Sequence, residues 1–463
     1  MANLPDYVAM AKPNPMENRV SWWKSTAQSY AGVMLWFVFW QDIPTGGAKG
    51  FAGGLLSCGL GTAVMAVVVA ALLCHALFYL IPGKLGLKTG LPLYIVGTST
   101  YGVRGGFLMP GFLMGVLQFG WLAVNAYFSA LLLSMALGQG MNSPTHMGIA
   151  IAWAVVAAFI GLKGIQYVAK VATFLPLVPL VILVLLAVKT AGGIGSFNAD
   201  ELVKQTTGDG LKVASAYNVF NIMAIYILGF FATAGAAGCD FGSGNRDNRD
   251  VQLGGLFGVF GSTVFAGVLS LLIVAGAYGA GLVPYTQNVS QTPALMEAIM
   301  GSKPVADALM ILLAVAAFPS ACFSSLIAAN SFKTTLPKVN PFITCGLGTL
   351  GAIVLILSTY AGQAAGVFSV IGASFGPICG AIAADYLLSG CKWNGPRAGF
   401  NLPGWLSWFF GFIVGAFNFL PADCRGGLDM PCPPLLAFVV GFVLYALFAK
   451  LGMQSSTLSM ENE

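Results

Sequence analysis

The chain has 463 residues, of which 57% are hydrophobic and only 8% are charged, and its mean hydropathy is +0.83. A soluble domain carries about 25% charged residues to cover its surface. With 21 basic and 16 acidic residues, a soluble enzyme, a nucleic-acid binder and a disordered chain are excluded, and a polytopic membrane protein remains.

Residues 1–25 are polar, carry Lys12, Arg19 and Lys24, and lack the apolar core and cleavage site of a leader, so a cytoplasmic N-terminal tail is expected. Twelve apolar segments follow, each near the 20 or so residues that cross a bilayer. They are 26–48, 53–82, 106–137, 146–162, 168–189, 213–239, 252–282, 306–332, 340–360, 363–388, 402–420 and 433–450. Segment 294–300, with Glu297, reads as an extracellular half-helix. The alternating pattern of a membrane barrel is lacking, which predicts an all-α polytopic membrane protein with 12 transmembrane helices.

Orientation follows from Lys and Arg in the loops. With the N-terminus inside, fifteen of the 21 basic residues lie at the inner side. Lys49, Lys189, Lys204, Lys212, Lys303 and Arg425 lie outside. This predicts a multi-pass protein of the cell (plasma or inner) membrane with both termini cytoplasmic, the C-terminal tail being 451–463. Nine scattered cysteines and two histidines offer no metal-type spacing. Cys424 and Cys432 share one outer loop, where an oxidising exterior would allow a disulfide.

Two spans look broken. The first carries Trp40-Gln41-Asp42-Ile43-Pro44-Thr45-Gly46-Gly47, and the sixth carries the small-residue run from Gly229 to Gly238. Both sit at the same position in two five-span halves. Unwound backbone exposes N–H and C=O groups that lipid cannot satisfy and a solute or ion can. For the pair in register a discontinuous-helix binding site is favoured over glycines that merely allow close packing.

Four ordered stretches carry a family resemblance. Lys88-Thr89-Gly90-Leu91 precedes Tyr101-Gly102-Val103-Arg104-Gly105. Span three holds Gln118-Phe119-Gly120-Trp121. Span six holds Gly229, then Phe231-Ala232-Thr233-Ala234-Gly235, then Asp240-Phe241. Span ten holds Gly376-Pro377, Gly380 and Ala384-Asp385-Tyr386-Leu387. Together they resemble the nucleobase–cation symport family over roughly residues 26–390. The resemblance implies a LeuT-like five-plus-five inverted repeat, with 26–190 and 213–390 as the two repeats and 400–450 as two extra helices. It also implies cation-driven uptake of a flat heterocycle held between aromatic side chains at the positions of Trp121 and Phe231.

Elementary chemistry agrees with that implication. A planar π-system stacks on an aromatic face with about 1–3 kcal/mol per base, and edge hydrogen bonds must then supply identity. Gln118, Trp121 and Asn125 share one helix face, and an amide offers both donor and acceptor to a lactam or amidine edge. Thr233 would add one more bond.

Span eight departs from the family. A sodium site in this fold uses carbonyls of the broken first span, near Val38, and two adjacent hydroxyls of span eight. Anchoring on Phe332 puts Pro319 and Ser320 at the hydroxyl positions, and only Ser320 has a hydroxyl. Ser324 and Ser325 lie one turn on, as substitutes or as small residues between helices. Family amides in this stretch are replaced by Ala316 and Ala317.

Asp42 is the carboxylate placed deepest. At a helix centre it costs about 2.5–3.5 kcal/mol on insertion scales, so it needs a task. It would accept N–H bonds from a substrate, contribute to a Na+ site, or titrate as the proton-coupling group. If span one ends early, Asp42 and Gln41 face the outer vestibule instead. Asp385 reads as a cap or gate at the inner end of span ten. Residues 240–250 read as a solvated loop.

These readings predict a secondary transporter, not an enzyme, that imports a nucleobase (cytosine or a purine) or a related N-heterocycle with Na+ or H+ by alternating access. The alternative is the same fold carrying a small amine or zwitterion recognised by Asp42. A channel or membrane enzyme is disfavoured, since neither a repeated filter nor an acid–base pair is visible. The expected partners are the small solute, the cation and the bilayer, without nucleic acid. No cofactor is expected apart from a bound Na+.

Overall fold

The computed structural model describes residues 4–24, 32–42, 50–163, 175, 177–207, 211–286, 292–336 and 338–460, without the side chains of Val38, Gln41, Asp42, Thr292, Pro293, Thr334 and Ala422. Among the described residues ten helices are long and apolar enough to cross a membrane, from Leu60–Thr89 to Pro433–Lys450. An eleventh apolar helix is Pro341–Leu357, and the remaining span contains the helix Trp36–Asp42. Twelve spans fit this set. The half-helix expected at 294–300 is the helix Thr292–Met300.

Irregularities in the first two spans of each half come in pairs. Span one has a turn at Met34–Leu35, and span six widens into π-helical turns at Ile225–Gly229. Span two widens at Cys74–Tyr79 and span seven at Leu256–Gly261. Spans one and two thus match six and seven, as a five-plus-five repeat requires. The segments that follow span one and precede span six also meet, Phe51–Ala52 pairing in parallel with Lys212–Val213.

The described part of each expected break is mostly helical. In span one the turn falls at Met34–Leu35, and the backbone is helical again through Trp40, Gln41 and Asp42. In span six, Phe230–Ala236 is regular helix, with a turn only at Ala237. The glycine-rich run there is a packing surface as well as a weak point. Residues 43–49 lie outside the described residues.

Spans six and ten are the most enclosed, and small residues explain how they are accommodated. A Cβ added to Gly380 would lie 2.1 Å from the Phe438 carbonyl oxygen, and one on Gly441 would lie 2.5 Å from that of Pro377. Spans ten and twelve therefore touch backbone to backbone, the usual way polar-poor helices gain contact in lipid. One buried ion pair ties the extra helices to the repeats. Arg397 donates to Asp385 at 2.9 Å, Tyr445 donates to the same oxygen at 2.8 Å, and Ser99 and Thr100 donate to the other oxygen at 2.5 and 3.1 Å. Asp385 is thus a buried anchor among four segments.

The end that carries Lys84, Lys88, Arg246 and Arg249, hereafter the basic end, is crossed by the N-terminal segment. The backbone N–H of Asn14 donates to Gly90 at 2.8 Å, and that of Val20 to Gly244 at 2.8 Å. Trp22 stacks on Phe257 at 4.8 Å, and its N–H donates to Asp250 at 3.1 Å. Residues 240–250 are correspondingly ordered, with Asp250 buried and paired to Arg246 at 2.8 Å, in place of the expected solvated loop. Cys424 and Cys432 are both free, Cys424 exposed and Cys432 buried, so the candidate disulfide is not formed.

Candidate substrate site

A cavity of about 360 Å³ lies between spans one, three, six and eight. Span three supplies Met114, Gln118, Trp121 and Asn125, whose spacing of four, three and four residues puts them on one face. Span six supplies Phe230, Phe231 and Thr233, and span eight Ser320, Phe323, Ser324 and Asn330. Met34, at the turn of span one, closes one wall. The lining runs on to Tyr94, Asp240 and Ser331 at the basic end. Toward the other end the aromatic residues Phe39, Trp40 and Tyr226 are buried, and Phe37 packs on Phe128 at 5.3 Å. Among the described residues the lining thus extends toward the basic end, and these aromatics cover the other.

Trp121 is central. Its indole Nε1 donates to Thr233 at 3.1 Å, and its ring meets Phe230 edge-on at 3.8 Å and Phe368 at 5.1 Å. Phe231, the position matched to the family, also lines the cavity but stands behind Phe230, 4.9 Å away. The ring that faces Trp121 is thus Phe230, which the sequence reading missed. A planar ring held between two aromatic faces needs about 7 Å, twice the carbon contact distance. Trp121 and Phe230, 3.8 Å apart and edge-on, leave no such slot between them.

The two amides differ. Among the described residues Gln118 makes only a soft contact, Nε2 to the Met114 sulfur at 3.4 Å. The Asn125 Nδ2 donates to the Ala317 carbonyl at 3.1 Å and to the Ser320 hydroxyl at 2.8 Å. Its Oδ1 accepts from the Trp153 indole at 3.3 Å and from Ser129 at 3.4 Å. Ser320 in turn donates to Ala317 at 2.7 Å. Asn125, read from the sequence as a substrate contact, therefore spends its hydrogen bonds on the protein. Ser324 lines the cavity and donates to the Ser320 carbonyl at 3.4 Å, while Ser325 packs against Gly161 of span four. The side chains of Gln41, Asp42 and Val38 lie outside the described residues.

Asp240 is, among the described residues, the one charged side chain that lines the cavity. It sits on the short helix Gly238–Ser243 beyond span six, and the Leu93 N–H donates to it at 3.4 Å. Desolvation among the surrounding segments pushes its carboxyl from 3.8 up to about 6, and the Leu93 bond opposes the rise. Its side chain is open to the cavity, so water there tempers the shift. The signal was present in the sequence: Thr233, Ala237 and Asp240 follow at four- and three-residue steps along one face.

The family model described as permease for cytosine/purines, uracil, thiamine, allantoin matches residues 14–391. The cytosine permease of Escherichia coli (strain K12) is 24% identical over 359 residues, which covers 77% of each chain. That of Escherichia coli O157:H7 is 25% identical over the same length. Among solved structures, Mhp1, a nucleobase-cation-symport-1 family transporter, superposes in its closed, bromovinylhydantoin-bound conformation with TM-score 0.62 at 17% identity, covering 94% of this chain and 92% of that one. Its inward-facing conformation gives 0.68 at 16% identity, covering 96% and 92%. A Na+-coupled sialic acid symporter in its outward-open state gives 0.59 at 14% identity, covering 96% and 92%. The fold is accordingly the LeuT-like one, with its five-plus-five repeat.

Proposed function

The chain belongs to the family of permeases for cytosine/purines, uracil, thiamine and allantoin, and on that footing we propose that it is a secondary active transporter importing a nucleobase, cytosine or a purine, or a related small N-heterocycle. The basic end is the cytoplasmic one, both termini lie there, and the structure corresponds to the inward-open stage of an alternating-access cycle driven by Na+ or H+. The observation that carries the reading is the one-sided cavity in which Trp121 offers an aromatic face and Gln118 an uncommitted carboxamide. Stacking supplies affinity for any flat ring, and the amide selects a donor–acceptor edge.

In this cycle spans one, two, six and seven rock against the others, and the turn at Met34–Leu35 and the π-helical turns are where they bend. Gln41 and Asp42 on span one and Thr233 on span six complete the contacts, with Asp42 as the candidate coupling carboxylate. A second reading, a small amine or zwitterion recognised by Asp42, draws support from Asp240, a second carboxylate on the exit route. Counterflow of labelled cytosine in proteoliposomes, challenged with a panel of nucleobases and amines, separates the two. Competition by bases alone supports the first reading, and competition by amines alone supports the second.

A further inference from the structure

The family and fold raise the question of a bound Na+, and Ser320 carries the one hydroxyl at the span-eight positions matched to such a site. The Asn125 amide nitrogen stands 2.8 Å from that hydroxyl and 3.1 Å from the Ala317 carbonyl oxygen. Ser320 spends its own hydrogen on Ala317 at 2.7 Å, so the two oxygens lie side by side and both face the amide NH2 group. The orientation of the amide is fixed by its partners. The Trp153 indole can only donate and the Ala317 carbonyl can only accept, so a flipped amide would set N–H against N–H and oxygen against oxygen. The positive end of the amide dipole thus faces both oxygens, against which a cation held at Ser320 would have to sit.

We propose that the Asn125 amide permanently takes the place of a sodium ion at span eight, so that this transporter works without Na+ at these oxygens. The inference rests on the transport reading and narrows its coupling ion. Permanence follows from where the partners lie. Asn125 and Ser129 are on span three, Trp153 is on span four, and Ala317 and Ser320 are on span eight. Spans four and eight meet so closely that a Cβ on Gly161 would lie 2.4 Å from the Cys322 carbonyl oxygen. Trp153 packs edge-on against Phe318 at 5.0 Å. All the bonds to Asn125 therefore stay among spans three, four and eight, none of which belongs to the rocking set, and rocking does not break them. Neighbouring composition agrees, because Ala316, Ala317 and Pro319 supply no side-chain oxygen that would compete with the amide.

The test is a thermal-shift titration of the purified full chain with NaCl against choline chloride at constant ionic strength, run without substrate. The wild type is expected to give the same Tm in both salts, since only a ligand that binds the folded state raises stability. Asn125→Asp replaces the two donors by a carboxylate and is expected to gain a Na+-specific rise. In proteoliposomes, replacing Na+ by choline should change the initial rate of cytosine uptake by less than about twofold, as for an ion that does not bind. A Na+-specific Tm rise in the wild type, or loss of uptake without Na+, overturns the proposal. If no base is taken up at all, the transport reading fails, while the wild-type titration still decides the sodium question. It also decides it if Asn125→Asp does not fold.

Discussion

Gln118 and Asn125 stand two helical turns apart on the same face of span three, both carboxamides and both lining one cavity. By residue type and direction they are equivalent. The structure separates them by what surrounds them: Asn125 has partners on three spans, and Gln118 has a thioether. A buried polar group must be satisfied by something. Where the protein supplies the partners, the group is part of the frame. Where it does not, a ligand is expected to. The difference between frame and site is therefore carried by neighbours distant in sequence, Ala317 and Trp153, not by the amide itself.

The comparison is sharpest if both amides are removed. Asn125→Ala breaks four hydrogen bonds that join three spans, and at about 0.6 kcal/mol per bond within a membrane the loss is about 2–3 kcal/mol. A lowered Tm together with reduced uptake is expected. Gln118→Ala should leave Tm unchanged and weaken apparent affinity by the worth of one hydrogen bond, about 0.5–1.5 kcal/mol. A Gln118→Ala protein as destabilised as Asn125→Ala would collapse the distinction.

Trp121→Ala comes next in size. Loss of one stacking face costs about 1–3 kcal/mol, or roughly fivefold to a hundredfold in apparent affinity. Because Trp121 also bonds Thr233, Trp121→Phe separates the two roles: it keeps a stacking face and drops the 3.1 Å bond. Uptake kinetics of both variants, with Tm measured alongside, check this. An unchanged KM in Trp121→Ala removes Trp121 from the site.

Much of this architecture was legible in the sequence, and the misses have physical causes. Hydropathy reads length and apolarity, which sufficed for the spans. It is blind to whether a turn closes at four residues or five. The π-helical turns at Ile225–Gly229 add a residue to the phase of span six, and one residue is about 100° of rotation. That is enough to present Phe230 to Trp121 where the aligned motif pointed to Phe231. The ion pair of Asp385 with Arg397 was missed for a different reason. Each looked like an ordinary residue at a helix end or in a loop, and only the folding of Ser99, Thr100 and Tyr445 around them makes a desolvated pair affordable.

The smallest expected effect concerns Asp240, which is neither frame nor a committed ligand contact. Its carboxylate accepts from the Leu93 N–H, and no basic side chain pairs with it among the described residues. Its folded-state value, about 6, lies above the ordinary 3.8, so protonation favours the folded form. The stabilisation is fully present below the ordinary value and is lost as pH rises through the folded-state one. Wild-type Tm should therefore fall, relative to Asp240→Asn, as pH is raised from about 4 to about 6, and run parallel to it above that window. Openness to the cavity keeps the difference small. The same titration bears on the two amides, because Asn125→Ala and Gln118→Ala touch no charge and should shift Tm by amounts independent of pH. A pH-dependent gap for Asn125→Ala would mean that its network contains a titrating partner, and the contrast between frame and site would have to be redrawn around that group.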